Sequence, residues 1–154
     1  MTKKFAIIGN PIQHSLSPTL HNYWFKKYNI DANYDRKKID KSEIQKIISE
    51  IREDKLDGIN VTVPFKSDVI PFLDTLSKES QITQSVNTIY KQDKKLIGHN
   101  TDIKGFELSL KETQFNLENK TIFILGAGGV VPSIIYALEK LGISKIIVLS
   151  LIHI

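Results

Sequence analysis

The order of candidate strands and helices in the first sixty residues constrains the fold of this chain most. An apolar strand at residues 5–9 precedes a helix that starts near Ser17, and a second strand covers residues 33–39. A second amphipathic helix around Ile44 then leads into a third strand within residues 57–63. Because strands joined through helices run parallel and are connected by right-handed crossovers, this order predicts an α/β fold built on an open, mainly parallel sheet.

Both helices carry signals for where they begin. Ser17 followed by Pro18 predicts an N-cap with proline at the first helical position, and Ser42 with Gln45 predicts a capping box. The expected apolar faces follow helical spacing. They comprise Leu20, Tyr23, Trp24 and Tyr28 in the first helix, and Ile44, Ile47, Ile48 and Ile51 in the second.

The third strand alternates in a way that favours a binding crevice. Side chains on a strand point to opposite faces in turn, so Asn60 and Thr62 share one face. The opposite face carries Ile59, Val61 and Val63. Pro64 ends the strand and leaves Lys66 in the loop beyond it. Polar residues at the carboxyl end of such a strand indicate the crevice where open α/β sheets bind ligands, although an edge strand with a solvated lysine has the same pattern.

Residues 69–102 are expected to form short helices, a hairpin and the start of a further helix. We expect helical stretches around residues 69–76 and 80–83, then a hairpin of residues 86–90 and 96–98 around the charged turn at 92–95. Asp102 is expected to cap a further helix. That helix should direct Phe106, Leu108 and Leu110 toward the core.

A strand, a glycine turn, a helix and another strand follow at residues 121–149. This βαβ pattern is typical of dinucleotide-binding domains, in which the glycines let pyrophosphate approach a helix N-terminus. The residues that would contact the dinucleotide are Gly126, Ala127, Gly128, Gly129 and Val130. Val131 stands where the fingerprint usually has glycine or alanine, so a glycine-rich turn without a ligand is the alternative. We expect one domain at residues 1–101, followed at 102–154 by a linker helix and an incomplete Rossmann-type unit.

Composition excludes several classes of protein. The 154 residues include no cysteine, which excludes disulfides, thiolate metal sites and cysteine nucleophiles. The net charge of +4 is spread along the chain, so no basic tract indicates nucleic-acid binding. Neither a signal peptide nor a membrane span is indicated, and a cytoplasmic protein is expected. We expect no metal site, because the spacing of His14, His21 and His99 favours structural roles.

Five motifs occur in an order that resembles one enzyme family. They are Ser15-Leu16-Ser17-Pro18 with His21-Asn22; Asn60-Val61-Thr62-Val63-Pro64-Phe65-Lys66; Val86-Asn87-Thr88; Gly98-His99-Asn100-Thr101-Asp102-Ile103-Lys104-Gly105-Phe106; and Gly126-Ala127-Gly128-Gly129. From residue 5 to about residue 150 the chain closely resembles shikimate dehydrogenase. The resemblance implies a substrate domain followed by an NADP-binding Rossmann domain, and reduction of 3-dehydroshikimate to shikimate on the route to chorismate and aromatic amino acids.

The resemblance also implies roles for individual residues. Ser15 and Ser17 would bind the substrate carboxylate, and Lys66 with Asp102 would form the catalytic pair. The ring hydroxyls would be held by Asn60, Thr62, Asn87 and Asp102. Hydride arriving at a ketone leaves an alkoxide that needs a proton donor and a nearby positive charge, which a lysine beside a carboxylate supplies. Without the resemblance, Ser17 and Asp102 are equally explained as helix caps and Asn87 as a polar strand residue.

The carboxyl end departs from the family pattern. An Asn-Arg-Thr-like segment that grips the 2′-phosphate of NADP is expected after the second Rossmann strand, but residues 150–154 contain neither arginine nor acid. The family's chain is nearly twice as long. A truncated or altered dehydrogenase is therefore expected. A non-catalytic shikimate-binding module, a dehydrogenase that uses quinate or NAD, and a homodimer remain open.

Overall fold

A computed structural model describes residues 1–150. The strands are β1 (Lys3–Gly9), β2 (Ala32–Lys38), β3 (Gly58–Val61), β4 (Thr75–Leu76), β5 (Thr88–Gln92), β6 (Lys95–His99), β7 (Thr121–Leu125) and β8 (Lys145–Leu149). The α-helices are α1 (Ser17–Lys27), α2 (Ile44–Arg52), α3 (Lys78–Thr83), α4 (Asp102–Glu112) and α5 (Val131–Lys140), with short 3-10 turns at Lys41–Glu43 and Ile70–Phe72.

The strands form two sheets. The first has the order β2-β1-β3-β5-β6-β4, in which β1 pairs in parallel with both β2 and β3, and β4 pairs in parallel with β6. The pairings of β5 with β3 and with β6 are antiparallel. The second sheet consists of β7 and β8 in parallel, joined through α5. The prediction of a mainly parallel open sheet followed by a βαβ unit is confirmed, whereas the edge-strand interpretation of β3 is wrong because β3 has a neighbour on each side.

The two faces of the first sheet have different characters. One face packs against α2, where Ile8 and Ile59 meet the four isoleucines predicted for that helix, all of them buried. The opposite face carries a smaller cluster of Ile7, Ile12 and Tyr34, against which Phe25 of α1 packs. The alternation of β3 therefore separates a hydrophobic core on one side from Asn60 on the other.

Helix α1 faces the sheet differently from the prediction. The residues of its expected apolar face, Leu20, Tyr23, Trp24 and Tyr28, are all exposed. The Asn22 side chain instead binds the backbone of Tyr34 through two hydrogen bonds, of 2.8 Å and 2.9 Å. Phe25 lies over Phe5, with 5.8 Å between ring centroids. These contacts turn the neighbouring residues Leu20, Tyr23 and Trp24 away from the core.

Three expected capping roles are wrong. Helix α1 begins at Ser17 itself, whose backbone N–H donates to the Ser15 hydroxyl at 3.3 Å. Helix α4 likewise begins at Asp102. The capping box lies two residues before the predicted one, because the Lys41–Glu43 turn precedes α2 and the Glu43 carboxylate accepts from the backbone N–H of Asp40 at 2.8 Å.

The segment after Lys66 is only partly helical. The helix expected at residues 69–76 is replaced by the Ile70–Phe72 turn and by β4, which pairs with β6. The hairpin of β5 and β6 agrees with the prediction, and its tight turn places Asp93 and Lys94 at positive φ. In α4, Leu108 is exposed and the buried residues are Ile103 and Glu107, because this face packs against α5.

The first sheet leads into α4 through a short link, and α4 and a further segment then connect it to the second sheet. Strand β6 ends at His99 and α4 begins at Asp102. The domain boundary at residues 101 and 102 stays a prediction. The expected change in the 2′-phosphate segment falls mainly on residues 151–154, which lie outside the described part of the chain.

Candidate active site

Lys66 and Asp102 form an ion pair at the end of the first sheet. The Lys66 ammonium lies 2.7 Å from Asp102 Oδ2, although the two residues are 36 positions apart in the chain. Their side chains are 12% and 26% exposed, so solvent reaches the pair only in part. The loop that carries the lysine is anchored to the sheet, because the Lys66 carbonyl accepts from the backbone N–H of Val86 at 2.8 Å. The structure thus brings together the two residues that the family resemblance pairs.

Asn87 connects this ion pair to the sheet. Its side-chain amide donates to Asp102 Oδ1 at 2.8 Å and to the Thr101 hydroxyl at 2.9 Å. Its amide oxygen accepts from the backbone N–H of Thr101 at 2.9 Å. Both carboxylate oxygens of Asp102 are therefore engaged, one by Lys66 and one by Asn87. Asn87 lies just before β5 and is more than a polar strand residue, because it orients the carboxylate.

Asn60 extends the same network toward α1. Its side-chain NH2 donates to the Asn87 carbonyl and to the Thr88 hydroxyl, both at 3.1 Å. Its oxygen accepts from the Tyr34 hydroxyl at 2.6 Å. The Thr88 hydroxyl in turn donates to Asn87 Oδ1 at 3.0 Å. A continuous chain of hydrogen bonds therefore runs from Tyr34 to Lys66 along the polar end of the sheet.

The predicted carboxylate-binding serines line a separate cavity beside this network. The cavity has a volume of about 310 Å³. Its lining consists of Ile7, Pro11, Ile12, His14, Ser15, Ser17, Thr62 and Val63. Gly9 allows β1 to approach this region closely, since a Cβ there would lie 2.6 Å from the Thr62 methyl group. The structure thus brings Ser15 and Ser17 together and places beside them Thr62, which the family resemblance groups with the ring-hydroxyl residues.

The glycine turn has the shape that a dinucleotide would need. Gly126 adopts a positive φ of 105°, which favours glycine, and α5 begins at Val131. A Cβ added at Gly126, Gly128 or Gly129 would meet no atom within 4 Å, so the space beside each of these glycines is open. Backbone N–H groups at a helix N-terminus attract phosphate, so this open turn fits a pyrophosphate group.

Asn100 is a residue whose importance the sequence analysis missed. It is 2% exposed, and its amide donates to the Ser133 hydroxyl at 2.8 Å and to the Ser85 carbonyl at 2.9 Å. Its oxygen accepts from the backbone N–H of Asp102 at 3.0 Å. Asn100 therefore connects α5, the helix after the glycine turn, to the start of α4. The Asn-Thr-Asp sequence was the available signal, because an asparagine two residues before a helix start often bonds that backbone N–H.

Tyr34 is the other residue that sequence analysis missed. Burial raises the pKa of its hydroxyl, and a hydrogen bond from Ser17 opposes that shift. The hydroxyl therefore stays protonated at neutral pH and donates to Asn60. His21 stacks on the Tyr34 ring at 4.3 Å, and burial lowers the pKa of that imidazole. Its position against a ring agrees with the structural role expected for His21.

Within residues 1–150, no group of three or more histidine, aspartate or glutamate side chains is arranged to hold a metal ion. No helix in the described part of the chain is long and apolar enough to cross a bilayer.

The site combines a cation, a carboxylate and several hydroxyl and amide groups. The Lys66 ammonium can donate a proton to an oxygen that becomes negatively charged, while Asp102 keeps the ammonium in place. The serine hydroxyls can donate to a carboxylate, and the free acceptor positions can receive bonds from hydroxyl groups. This arrangement suits a small, anionic, hydroxylated substrate.

Comparison with known proteins places this arrangement in a family. The family model described as "Shikimate dehydrogenase substrate binding domain" matches residues 7–89, which is more than half of the chain. A shikimate dehydrogenase (NADP(+)) from Pelagibacter ubique is 62% identical over 146 residues, covering 95% of this chain and 55% of that protein. One from Acinetobacter baumannii strain AYE is 40% identical over 148 residues, covering 96% of this chain and 56% of that protein.

Solved structures show the same likeness. Shikimate 5-dehydrogenase from Thermus thermophilus in complex with NADP(H) and shikimate aligns with a TM-score of 0.87 and 31% identity, covering 96% of this chain and 55% of that one. The enzyme from Listeria monocytogenes in complex with shikimate and NAD aligns with a TM-score of 0.86 and 34% identity, covering 96% and 51%. The chain spans about half the length of these relatives. The resemblance inferred from the motifs is confirmed, and the chain belongs to the shikimate dehydrogenase family.

Proposed function

We propose that this chain supplies the substrate site and the first dinucleotide-binding unit of an NADP-dependent shikimate dehydrogenase. The observation that carries this proposal is the Lys66–Asp102–Asn87 arrangement, with a lysine ammonium 2.7 Å from a carboxylate that an asparagine holds from its other side. The names of the relatives support the reaction, which interconverts 3-dehydroshikimate and shikimate.

The proposed substrate contacts combine groups with free hydrogen-bonding capacity and Asn87, whose donors and oxygen are already engaged within the protein. Ser15 donates from its hydroxyl to the substrate carboxylate, Ser17 joins it when its hydroxyl turns from Tyr34, and Thr62 closes the same cavity. Asn60 and Asn87 face the ring hydroxyls together with Asp102. Lys66 protonates the oxygen formed at the reacting carbon and contributes positive charge there, and Asp102 fixes its ammonium.

The cofactor site is proposed at the glycine turn. NADP supplies or accepts the hydride, and Gly126, Ala127, Gly128, Gly129 and Val130 hold its pyrophosphate through their backbone at the start of α5. The open space beside the three glycines supports this assignment. Relatives named as NADP(+) enzymes favour NADP, whereas the Listeria structure with NAD keeps NAD as the second candidate. Association into a homodimer stays a prediction for sedimentation to test.

Calorimetric titration of shikimate into the chain tests the substrate site. The wild type is expected to bind, and Thr62→Val, which replaces a hydroxyl by a methyl group, is expected to weaken binding about fivefold or more. Thr113→Val is the matched control, because the exposed Thr113 hydroxyl bonds only local backbone at the end of α4, donating to the Leu110 carbonyl and accepting from the Phe115 N–H. A folded wild-type chain that binds no shikimate would overturn the proposed function.

A further inference from the structure

Tyr34 reaches the site from two strands away. In the parallel register, Tyr34 of β2 pairs with Phe5 of β1, and Asn60 of β3 pairs with Ile7 of β1. Paired residues share a face of the sheet, and so do residues two apart on one strand, so Tyr34 and Asn60 lie on the same face. The tyrosine side chain therefore crosses above β1 before its hydroxyl donates to Asn60 Oδ1 at 2.6 Å.

The Tyr34 ring is held firmly along its length. The Asn22 side chain binds both the N–H and the carbonyl of Tyr34, at 2.9 Å and 2.8 Å. The ring stacks on His21 with only 8° between the planes, and the residue is 3% exposed. A side chain fixed at its backbone and its ring presents its hydroxyl at a constant position, which is the property that a positioning group needs.

The orientation of the Asn60 amide depends on this hydroxyl. Two acceptors, the Asn87 carbonyl and the Thr88 hydroxyl, hold the NH2 group, while Tyr34 is the donor to the oxygen. Together they select one of the two possible orientations of the amide and leave a lone pair of its oxygen for another donor. Without the Tyr34 hydroxyl, the oxygen would lose its partner and the amide would be held at one end only.

We propose that the Tyr34 hydroxyl is a positioning group of the substrate site, which fixes Asn60 so that its oxygen accepts a bond from a ring hydroxyl of the substrate. This inference rests on the proposed function of the site. It adds a residue of β2, outside the five motifs, whose action on the substrate passes through Asn60.

The change Tyr34→Phe tests the proposal, because it removes the hydroxyl and keeps the ring that stacks on His21. Calorimetry is expected to show shikimate binding about five- to tenfold weaker than in the wild type, the usual effect of losing one supporting hydrogen bond. Tyr28→Phe is the matched control, since Tyr28 is exposed at the end of α1, and it is expected to leave the affinity unchanged. Equal affinity of Tyr34→Phe and wild type would overturn the proposal.

A double-mutant cycle separates positioning from general destabilisation. In a Ser17→Ala background, which removes the other side chain bonded to the Tyr34 hydroxyl, adding Asn60→Ala is expected to reduce the effect of Tyr34→Phe on shikimate affinity to less than twofold, because the group it positions is gone. An undiminished loss in that background would overturn the proposal.

Should Asn60→Ala fail to fold, the side-chain amide resonances of Asn60 provide the decisive measurement. They are expected to shift in Tyr34→Phe and to stay constant in Tyr28→Phe; unchanged resonances in Tyr34→Phe would overturn the proposal. A wild-type chain that folds but does not bind shikimate would refute the proposed function, and this inference with it. Normal wild-type binding with an unaffected Tyr34→Phe would refute the inference alone.

Discussion

Replacing Lys66 by methionine tests the proposed catalytic pair most directly. Methionine keeps an unbranched side chain of similar length and removes the ammonium, so Asp102 retains Asn87 and loses the cation that lies 2.7 Å away. The chain offers a matched control in Lys41, whose ammonium also lies 2.7 Å from a carboxylate, that of Asp68, but whose side chain is 74% exposed.

The structure gives an expected magnitude for both variants. An exposed ion pair contributes about 0–1 kcal/mol to stability, whereas breaking a fully buried one costs about 3–5 kcal/mol. Lys66 and Asp102 are partly buried, so Lys66→Met is expected to lower the free energy of unfolding by about 1–2 kcal/mol. Loss of a positioned acid should reduce turnover at least about a hundredfold, which corresponds to about 2.7 kcal/mol of activation free energy.

The assay follows NADPH absorbance with shikimate and NADP, in a full-length version that joins this chain to the rest of a shikimate dehydrogenase. Lys66→Met is expected to lose turnover while shikimate affinity changes no more than a few-fold, and Lys41→Met should keep normal turnover. Near-normal turnover of Lys66→Met would refute the reasoning, as would an equal loss in both variants.

Three further outcomes are expected. Ser15→Ala combined with Ser17→Ala should weaken shikimate binding by roughly 1–3 kcal/mol, the range for lost hydrogen bonds to a charged group. Unchanged affinity by calorimetry would show that both serines have structural roles only. The Lys140 ammonium holds the pKa of Glu107 below its usual range. This carboxylate therefore contributes stability that is present above its unfolded-state pKa and is lost as pH falls. Acid unfolding curves should show a smaller loss of stability for Glu107→Gln than for the wild type, and identical curves would contradict this. The chain of 154 residues alone should show no NADP-dependent oxidation of shikimate, because one βαβ unit cannot place a nicotinamide at near-attack distance; robust turnover would contradict this.

Sequence reasoning was most reliable where a local pattern coincides with a tertiary requirement. The isoleucines of α2 are spaced for one helix face, and that face is buried in the core beneath the first sheet. The glycine turn was found because positive φ at Gly126 is a local requirement. The hairpin of β5 and β6 followed from the charged segment at residues 92–95, of which the structure leaves Asp93 and Lys94 as the turn.

Prediction from the sequence failed where long-range polar contacts decide which residues are buried. In α1 the aromatic residues suggested a buried face, but the bonds between Asn22 and the Tyr34 backbone turn the helix so that Trp24 is exposed. Tyr34 and Asn100 have no sequence signal of comparable strength, since their roles arise only when β2 approaches β3 and α5 approaches α4. Hydropathy spacing cannot describe a hydrogen bond between residues 26 positions apart.

The hydrogen bonds that Asn60 and Asn87 already make within the protein determine which bonds each can still form with a substrate. An asparagine side chain has two N–H donors and one oxygen with two lone pairs. Both donors of Asn60 and both donors of Asn87 are already engaged within the protein. The Asn60 oxygen has one partner, Tyr34, and so retains a lone pair, whereas the Asn87 oxygen already receives bonds from Thr88 and Thr101. We therefore infer that the Asn60 oxygen accepts a hydrogen bond from a ring hydroxyl of the substrate. Asn87 acts mainly by orienting the Asp102 carboxylate. The groups with donor capacity are the Ser15 hydroxyl, the Lys66 ammonium and, once it turns from Tyr34, the Ser17 hydroxyl. They are the ones left for the substrate carboxylate and for the oxygen at the reacting carbon.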